Sequence, residues 1–179
     1  DPSLIIGVGG FAWENAFVDR TWTYDLNDVW TGVQAAYAEL AADVQSRHGA
    51  PLQQLGALGV SAMMHGYLAF DAAGDLLVPF RTWRNTSTGP AAAELTEALG
   101  QNIPLRWSIA HLHQAVRDAE SHIPSVSFIT TLAGYVHWRL TGAKVLGVGD
   151  ASGMFPIDSA AGDYDAELIA RYDTIAASR

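Results

Sequence analysis

The chain has 179 residues, of which 49% are hydrophobic and 16% charged, with a formal net charge of -9 and no cysteine. These values are typical of a globular domain with its own core, and they exclude a disordered chain. The acidic balance argues against nucleic acid and anionic membranes as partners. No apolar run approaches the roughly 20 residues of a membrane span, and the lack of cysteine is compatible with a reducing cytoplasm.

The first quarter of the chain is predicted to form a strand, a connection and a long helix. Residues 4–15 mix β-branched and aromatic residues with glycines, which favours a strand with a bulge. Residues 16–23 are interpreted as a connection. Asp25 is a suitable N-cap for a helix that Gly49 ends. The apolar stripe of this helix comprises Leu26, Val29, Trp30, Val33, Tyr37, Leu40 and Val44.

A strand and a hairpin are predicted next. The apolar run at residues 57–61 favours a buried strand. Two further runs, at residues 67–70 and 76–80, flank the turn-forming segment 71–75 and predict a hairpin. The hairpin leads into the polar and aromatic segment 81–86, which has the composition of a pocket wall. The succession of strand, long helix and strand indicates a βαβ unit and therefore an α/β domain.

The second half of the chain is predicted to be mainly helical, because apolar residues recur at spacings of three and four between glycine and proline stop signals. Ser108 and Asp163 are the expected N-caps of the second and the last of these helices. No repeat or linker interrupts the pattern, so one domain is expected. The predicted elements are helices at 89–99, 108–119, 131–140 and 164–172, a strand at 144–148 and a turn at 150–153.

Several common catalytic motifs do not match. The glycine-rich segments 7–10 and 147–149 lack the Gly-Lys-Ser/Thr of a phosphate-binding loop and are interpreted as bulges and turns. His111 and His113 are two residues apart on one predicted helix and point to different faces, so no metal site is expected. Ser61 departs from G-x-S-x-G at the last glycine, which argues against serine hydrolysis.

Residues 63–66, Met-Met-His-Gly, allow two interpretations. Taken alone, they are best explained as methionines that fill a core gap beside a satisfied histidine. Their position at a predicted strand end favours a pocket instead, because later aromatic and hydrogen-bonding residues suit the C–H face and the hydroxyl groups of a polyol. The candidate substrate-binding residues are Met64, His65, Trp83, Asn85, Arg106, Trp107 and Asp150.

Five segments, in the same order, resemble the FGGY carbohydrate kinases, and in particular their xylulokinase-like branch. Residues 59–66, GVSAMMHG, are similar to the family segment G-[IV]-S-[GA]-[QM]-M-H-G. The resemblance covers nearly the whole chain. The other four segments are Trp22-Thr23-Tyr24 before the long helix, residues 79–85 around W-x-[DN], residues 131–142 ending in W-[KR]-L-T-G, and residues 149–153 with D-A-S-G.

The resemblance implies an actin-like fold, in which two RNase H-like domains close on ATP and a sugar. Residues 1–179 would be a partial N-terminal sugar-binding domain of the actin/hexokinase ATPase type, α/β with a mixed sheet flanked by helices, and incomplete at both ends. The resemblance also implies that Met64 and His65 touch the sugar and that the segment Trp83 to Asn85 lies beside them. The loop at 106–108 would line the pocket. The role of Asp150, in the D-A-S-G turn, stays open.

Two parts of the family pattern are not in this sequence. No D-x-G-[TS]-[TS] phosphate loop precedes Asp1, and the second domain, with the aspartate that acts as general base, does not follow. We therefore expect no catalytic residue in this chain, and we expect ATP and Mg²⁺ to act in the full-length protein.

The expected function is ATP-dependent phosphorylation of a sugar, with a ketopentose such as xylulose favoured by the Met-His pair. A homodimer is left open. One alternative is a non-catalytic sugar-binding or structural module on the same fold. Another is an actin-like ATPase with a protein partner, which fits less well because the candidate residues suit a small polyol.

Overall fold

The computed structural model describes residues 3–177. These residues form two compact units, one made of residues 3–16 and 24–59 and the other of residues 17–23 and 60–177. No helix of the described residues has the length and apolar character needed to cross a membrane. In chain order the elements are β1 (Ala16–Val18), β2 (Thr21–Thr23), α1 (Leu26–His48), β3 (Leu68–Phe70), α2 (Gly89–Leu99), α3 (Ser108–Arg117), a 3-10 turn (Ile123–Ser125), β4 (Phe128–Thr130), α4 (Leu132–Thr141), α5 (Val148–Ala151), β5 (Ile157–Asp158), β6 (Asp163–Tyr164) and α6 (Ala166–Ala177).

Helix α1 dominates the first unit and confirms the predicted caps. The Asp25 carboxylate accepts a hydrogen bond of 2.7 Å from the Asn27 amide, which satisfies one of the free donors of the first turn. Gly49 ends the helix in the left-handed region, with φ of 67°. The predicted stripe is only partly buried, since Val33 and Tyr37 are exposed whereas Val29 and Val44 are buried.

Strands are predicted at residues 4–15, in the first unit, and at residues 57–61, at its boundary, and both predictions are wrong. In the segment 3–15 the amides of Val8 and Gly10 donate to carboxylates of α1 instead of to a neighbouring strand. Residues 57–61 are likewise outside any strand, and Leu58 is 64% exposed. A strand needs a ladder partner, and neither segment has one within residues 3–177. The expected βαβ unit is therefore not formed.

The described strands pair as three short two-stranded sheets, β1 with β2, β3 with β4, and β5 with β6. The predicted connection at 16–23 is in fact the β1–β2 hairpin, whose turn residues Asp19 and Arg20 both have positive φ, as in a type I′ turn. Strand β3 runs antiparallel to β4, with Ala69 opposite Ile129, and it is completely buried.

The predicted hairpin of residues 67–80 is confirmed in part. Its turn closes through hydrogen bonds between Asp71 and Asp75, and Gly74 supplies a φ of 90°. The returning leg contacts β3 through isolated bridges, between Tyr67 and Arg81 and between Phe70 and Leu76, and not as a continuous strand. The full ladder of β3 is instead made by β4, a partner 60 residues away that local sequence pattern does not indicate.

Helices α2, α3 and α4 form close to the predicted positions, and Gly100 and Gly142 end α2 and α4 as expected. Ser108 is a correction, because it is the first residue of α3 and not its cap. The predicted strand at 144–148 is absent, and its last residue starts the short helix α5, which also replaces the first half of the turn predicted at 150–153.

The last helix is predicted two residues early. Helix α6 begins at Ala166, and it is the Asp165 carboxylate that accepts a hydrogen bond from the Leu168 amide, whereas Asp163 lies in β6. Apolar residues of α2, α3 and α6 pack together as the main core cluster of the second unit. The buried members are Ala92, Leu95, Leu99, Ile103, Ile109, Ala110, Phe155, Leu168 and Tyr172.

Candidate functional site

The candidate site is built around a sharp bend at Gly66, which follows Met64 and His65. Gly66 has a φ of 105°, and a Cβ at this position would lie 2.6 Å from the Arg81 carbonyl oxygen, so only glycine fits. The Gly66 amide donates to the Arg106 carbonyl at 2.9 Å, and the Ser108 hydroxyl donates to the Gly66 carbonyl at 2.6 Å. These bonds fix the Met64–Gly66 segment against the start of α3.

The His65 imidazole faces the turn that follows α5. Its Nδ1 lies 3.3 Å from the Gly153 carbonyl oxygen. Burial lowers the pKa of His65 below its usual value, the hydrogen bond to Gly153 opposes this shift, and the positive charge of Arg106 adds to it. His65 is therefore neutral at pH 7, and a neutral imidazole has one donor and one acceptor nitrogen.

The same turn also packs closely against the backbone of Met64. A Cβ added to Gly153 would lie 2.3 Å from the Met64 carbonyl oxygen and 2.7 Å from His65 Nδ1. The structure thus brings together Met64, His65, Arg106 and the D-A-S-G segment. Asp150 contributes to this turn through its backbone, since its carbonyl accepts a hydrogen bond of 3.0 Å from the Gly153 amide.

Trp83 and Asn85 lie in very different environments. Asn85 is buried, and its side-chain oxygen accepts from the Trp22 amide at 2.9 Å. Its amide nitrogen donates to the carbonyl groups of Trp22 and Thr82, at 2.8 and 3.0 Å. Trp83 is 47% exposed, and the Arg84 guanidinium lies 5.4 Å from the centre of its ring. Asn85 thus joins β2 to the hairpin exit, while the Trp83 ring remains accessible.

Arg106 and Trp107 are neighbours in sequence but point to different surroundings. Arg106 is exposed and lies close enough to His65 to affect its pKa. Trp107 is partly buried against the core cluster of α2, α3 and α6, and its carbonyl accepts the Ala110 amide at the start of α3. Of these two candidates, Arg106 is the one placed beside His65.

The two histidines of α3 are both completely buried and face different neighbours, as their spacing predicts. His111 stacks on Tyr67, with ring centroids 6.2 Å apart. His113 lies 3.4 Å from a carboxylate oxygen of Glu94 and contacts the Tyr172 ring edge-on. Within residues 3–177, no group of three His, Asp or Glu side chains is placed to hold a metal ion.

Comparison with known proteins decides the family. The model of the N-terminal domain of the FGGY family of carbohydrate kinases matches residues 5–176. The chain belongs to the FGGY family. The match includes every candidate residue, and it confirms the expected actin/hexokinase-like ATPase fold for this FGGY domain.

Solved structures of kinases share this fold. A xyloylose kinase from Brucella ovis superposes with a TM-score of 0.75 at 21% identity, over 90% of this chain and 34% of that kinase. A xylulose kinase from Rhodospirillum rubrum gives 0.72 at 22% identity, over 88% of this chain and 34% of that one. A gluconate kinase from Lactobacillus acidophilus gives 0.65 at 16% identity, over 88% and 33%. The FGGY domain thus spans about a third of the length of these kinases.

Sequence reasoning missed a polar network, partly buried, that involves both legs of the hairpin at residues 67–81. The Tyr67 hydroxyl is hydrogen-bonded to His122 Nε2 at 3.0 Å, and burial raises the pKa of Tyr67 to about 12. The Arg81 guanidinium bonds both carboxylate oxygens of Glu120, which also lies 3.4 Å from the His122 ring. Because Tyr67 and Arg81 exchange backbone hydrogen bonds, this network fixes the hairpin that carries Trp83.

Gly153 was missed as well, although it closes the D-A-S-G segment that the sequence singled out. The signal was the glycine itself, at a position where α5 ends and the chain turns. Its contact partner is 88 residues away in the chain, so only the fold reveals which backbone it approaches.

Proposed function

We propose that the full-length protein phosphorylates a sugar at the expense of ATP, and that this chain provides one wall of the sugar site. The match of residues 5–176 to the FGGY N-terminal domain carries the proposal. The residue types support it, because His65 and Arg106 supply hydrogen-bonding groups and Trp83, at the hairpin exit, supplies an exposed flat apolar face. Such a combination suits a polyol.

The proposed substrate is a ketopentose such as xylulose. The Met64-His65 pair favours an uncharged sugar, because His65 is neutral and has one ring nitrogen left to form a hydrogen bond with a hydroxyl group. The Rhodospirillum rubrum kinase, which shares the fold, is named for xylulose. Trp83 would cover the C–H face of the ring or chain, while Asn85 would act indirectly by holding the hairpin exit in place.

ATP and Mg²⁺ are the proposed cofactors of the full-length protein. They supply the phosphoryl group and neutralise its developing charge. Residues 3–177 offer no cluster of carboxylates or histidines suited to Mg²⁺, so we assign its ligands, like the general base, to the rest of the protein. The role of this chain is to bind and orient the sugar.

The proposed partners are the sugar and ATP, and the proposed location is the cytoplasm, where ATP is available. The net charge of -9 disfavours nucleic acid and anionic membrane surfaces. A homodimer stays a prediction that sedimentation of the full-length protein would test.

A coupled ADP-release assay on the full-length protein, with D-xylulose, other ketoses, polyols and gluconate, tests the proposal. We expect turnover of a ketopentose, and we expect His65→Ala to raise KM about fivefold through loss of one hydrogen bond of about 1 kcal/mol. His137→Ala, on the outer part of α4, is the matched control and should leave KM unchanged.

Absence of turnover on every sugar would contradict the kinase assignment. Sugar binding without turnover, measured by calorimetry, would favour the alternative of a non-catalytic sugar-binding module on the same fold.

A further inference from the structure

The turn after α5 approaches His65 closely enough to control its chemistry. Gly153 O lies 3.3 Å from His65 Nδ1. A carbonyl oxygen can only accept a hydrogen bond, so the contact requires the proton of the neutral ring to be on Nδ1. Among the described residues Gly153 supplies the one hydrogen-bond partner that the ring has.

The other ring nitrogen is left available. His65 Nε2 makes no hydrogen bond to residues 3–177, and it is not among the buried atoms that lack a partner. It therefore reaches solvent. In the tautomer that Gly153 selects, Nε2 carries a lone pair and no proton, so it can accept a hydrogen bond and cannot donate one.

The turn can approach His65 this closely only because position 153 is a glycine. A Cβ at position 153 would lie 2.3 Å from Met64 O, 2.7 Å from His65 Nδ1 and 3.1 Å from the neighbouring ring carbon of His65. The first contact is with backbone, which is itself fixed by the bend at Gly66, so it cannot be relieved by rotating a side chain. Any larger residue would push the turn away from His65 or rotate its ring.

We propose that Gly153 is a positioning residue of the sugar site, whose carbonyl group fixes His65 as the Nδ1–H tautomer and so makes Nε2 an acceptor for a substrate hydroxyl group. The inference rests on the proposed sugar site. It gives the D-A-S-G segment a function, because Asp150 and Gly153 shape the turn through backbone groups. It also defines specificity: the sugar group opposite His65 must be a hydroxyl that donates its proton.

The charge state of the ring is consistent with this arrangement. The pKa of His65 is lowered chiefly by burial and further by Arg106. At neutral pH the ring is therefore uncharged, and its acceptor nitrogen is not protonated. Binding through Nε2 does not require the ring to change its charge.

The first test is direct and needs no sugar. In full-length protein labelled with ¹⁵N-histidine, the nitrogen signals of His65, assigned by their loss in His65→Ala, report which nitrogen is protonated. We expect Nδ1–H in the unsubstituted protein. A protonated Nε2 in the neutral ring overturns the inference, whatever the protein does with sugars.

The second test uses Gly153→Ala, with Gly149→Ala as its matched control. A Cβ at Gly149 meets nothing within 4 Å, although both glycines belong to the same segment. We expect Gly153→Ala to shift His65 toward the Nε2–H tautomer and to raise the KM for the sugar about five- to tenfold, with kcat changed less, because the lost hydrogen bond is made in both ground and transition states. Gly149→Ala should change neither.

A Gly153→Ala protein with unchanged tautomer and KM overturns the positioning role. If that variant does not fold, a deoxyfluoro sugar series on the unsubstituted protein replaces it. Fluorine cannot donate a hydrogen bond, so the analogue substituted opposite His65 should bind about tenfold more weakly. Equal binding of every fluoro analogue overturns the inference. An Nδ1–H ring in a protein that binds no sugar supports the tautomer assignment and contradicts only the proposed function.

Discussion

Asn85 and His65 differ in how much of their hydrogen-bonding capacity the protein itself uses. The Asn85 amide already makes three bonds to backbone groups of Trp22 and Thr82, and an amide has two donors and two acceptor positions in all. His65 uses one of its two nitrogens, on Gly153. Asn85 is buried and has only one acceptor position left, whereas His65 has a ring nitrogen that reaches solvent. His65 is therefore the stronger candidate for direct contact with a sugar.

His111 illustrates the opposite case, a titratable group with no accessible surface. Neither of its buried ring nitrogens has a hydrogen-bond partner among residues 3–177, and burial, with a smaller contribution from Arg81, lowers its pKa to about 3. The folded protein therefore keeps His111 neutral at a pH where the unfolded chain protonates it. Above the usual pKa of 6.5, His111 is neutral in both the folded and the unfolded state. As the pH falls from 6.5 toward 3, the unfolded chain gains a proton that the folded protein does not, so the free energy of unfolding decreases.

We predict that His111→Leu flattens the acid side of the stability profile. Between pH 6.5 and pH 5 the unsubstituted protein should lose about 2 kcal/mol of unfolding free energy through this residue, and the variant should lack that loss. Urea unfolding at several pH values measures it, and the difference between the two proteins removes the contributions of His65 and His122. The same substitution at the partly exposed His137 is the control. Parallel pH profiles for His111→Leu and the unsubstituted protein would contradict the prediction.

At the scale of elements, helices follow from local sequence and strands do not. Asp25, Gly49, Gly100 and Gly142 mark helix ends where the sequence predicts them, because a cap acts within one turn. A strand exists only where a partner is present, and β3 finds its partner in β4. The apolar residues 57–61 look like a strand in sequence, yet no ladder partner exists for them in the described part of the chain.

Helix α4 offers a test in which local propensity and packing disagree. Gly134 is inside this helix, where alanine would be favoured by about 1 kcal/mol from propensity alone. A Cβ there would lie 2.2 Å from the Thr130 hydroxyl and 2.4 Å from a methyl group of Leu146. Thr130 is completely buried, and its β-branched side chain has few alternative rotamers.

We therefore predict that Gly134→Ala destabilises the protein by about 1–3 kcal/mol, the usual cost of overpacking. Thermal unfolding measures the change, and Gly149→Ala, which has open space around its Cβ, is the control. An increase in unfolding free energy for Gly134→Ala would show that propensity outweighs the clash.

At the scale of the whole molecule, the candidate residues are held in place by contacts between segments that lie far apart in the chain. Met64, His65 and Arg106 come together through hydrogen bonds at Gly66 and Gly153, and their contact with a sugar stays a prediction. Trp107 instead packs against the core cluster of α2, α3 and α6. Motif residues identify which residue types a site contains. Which of them face the ligand depends on packing between distant segments, which cannot be predicted from a single sequence.

The division into two units has a consequence for stability. Among the described residues of the first unit, Val29 and Val44 are the buried hydrophobic side chains, whereas the second unit contains the core cluster and the buried strand β3. Hydrophobic burial is the main stabilising term of a folded unit. A 23-residue helix with so little buried surface should therefore open more readily than α4, which is almost completely buried along its first half.

We predict that hydrogen exchange in the 179-residue chain separates the two units. Amides of α1 should exchange at least tenfold faster than those of residues 132–136 in α4, because local opening costs less free energy where fewer apolar contacts break. Exchange measured by mass spectrometry at several urea concentrations would also show α1 losing protection at lower denaturant. Helix α2, which carries four buried core residues, serves as the internal reference and should behave like α4. Equal protection of α1 and α4, with a single common unfolding midpoint, would contradict this prediction and indicate one cooperative folding unit.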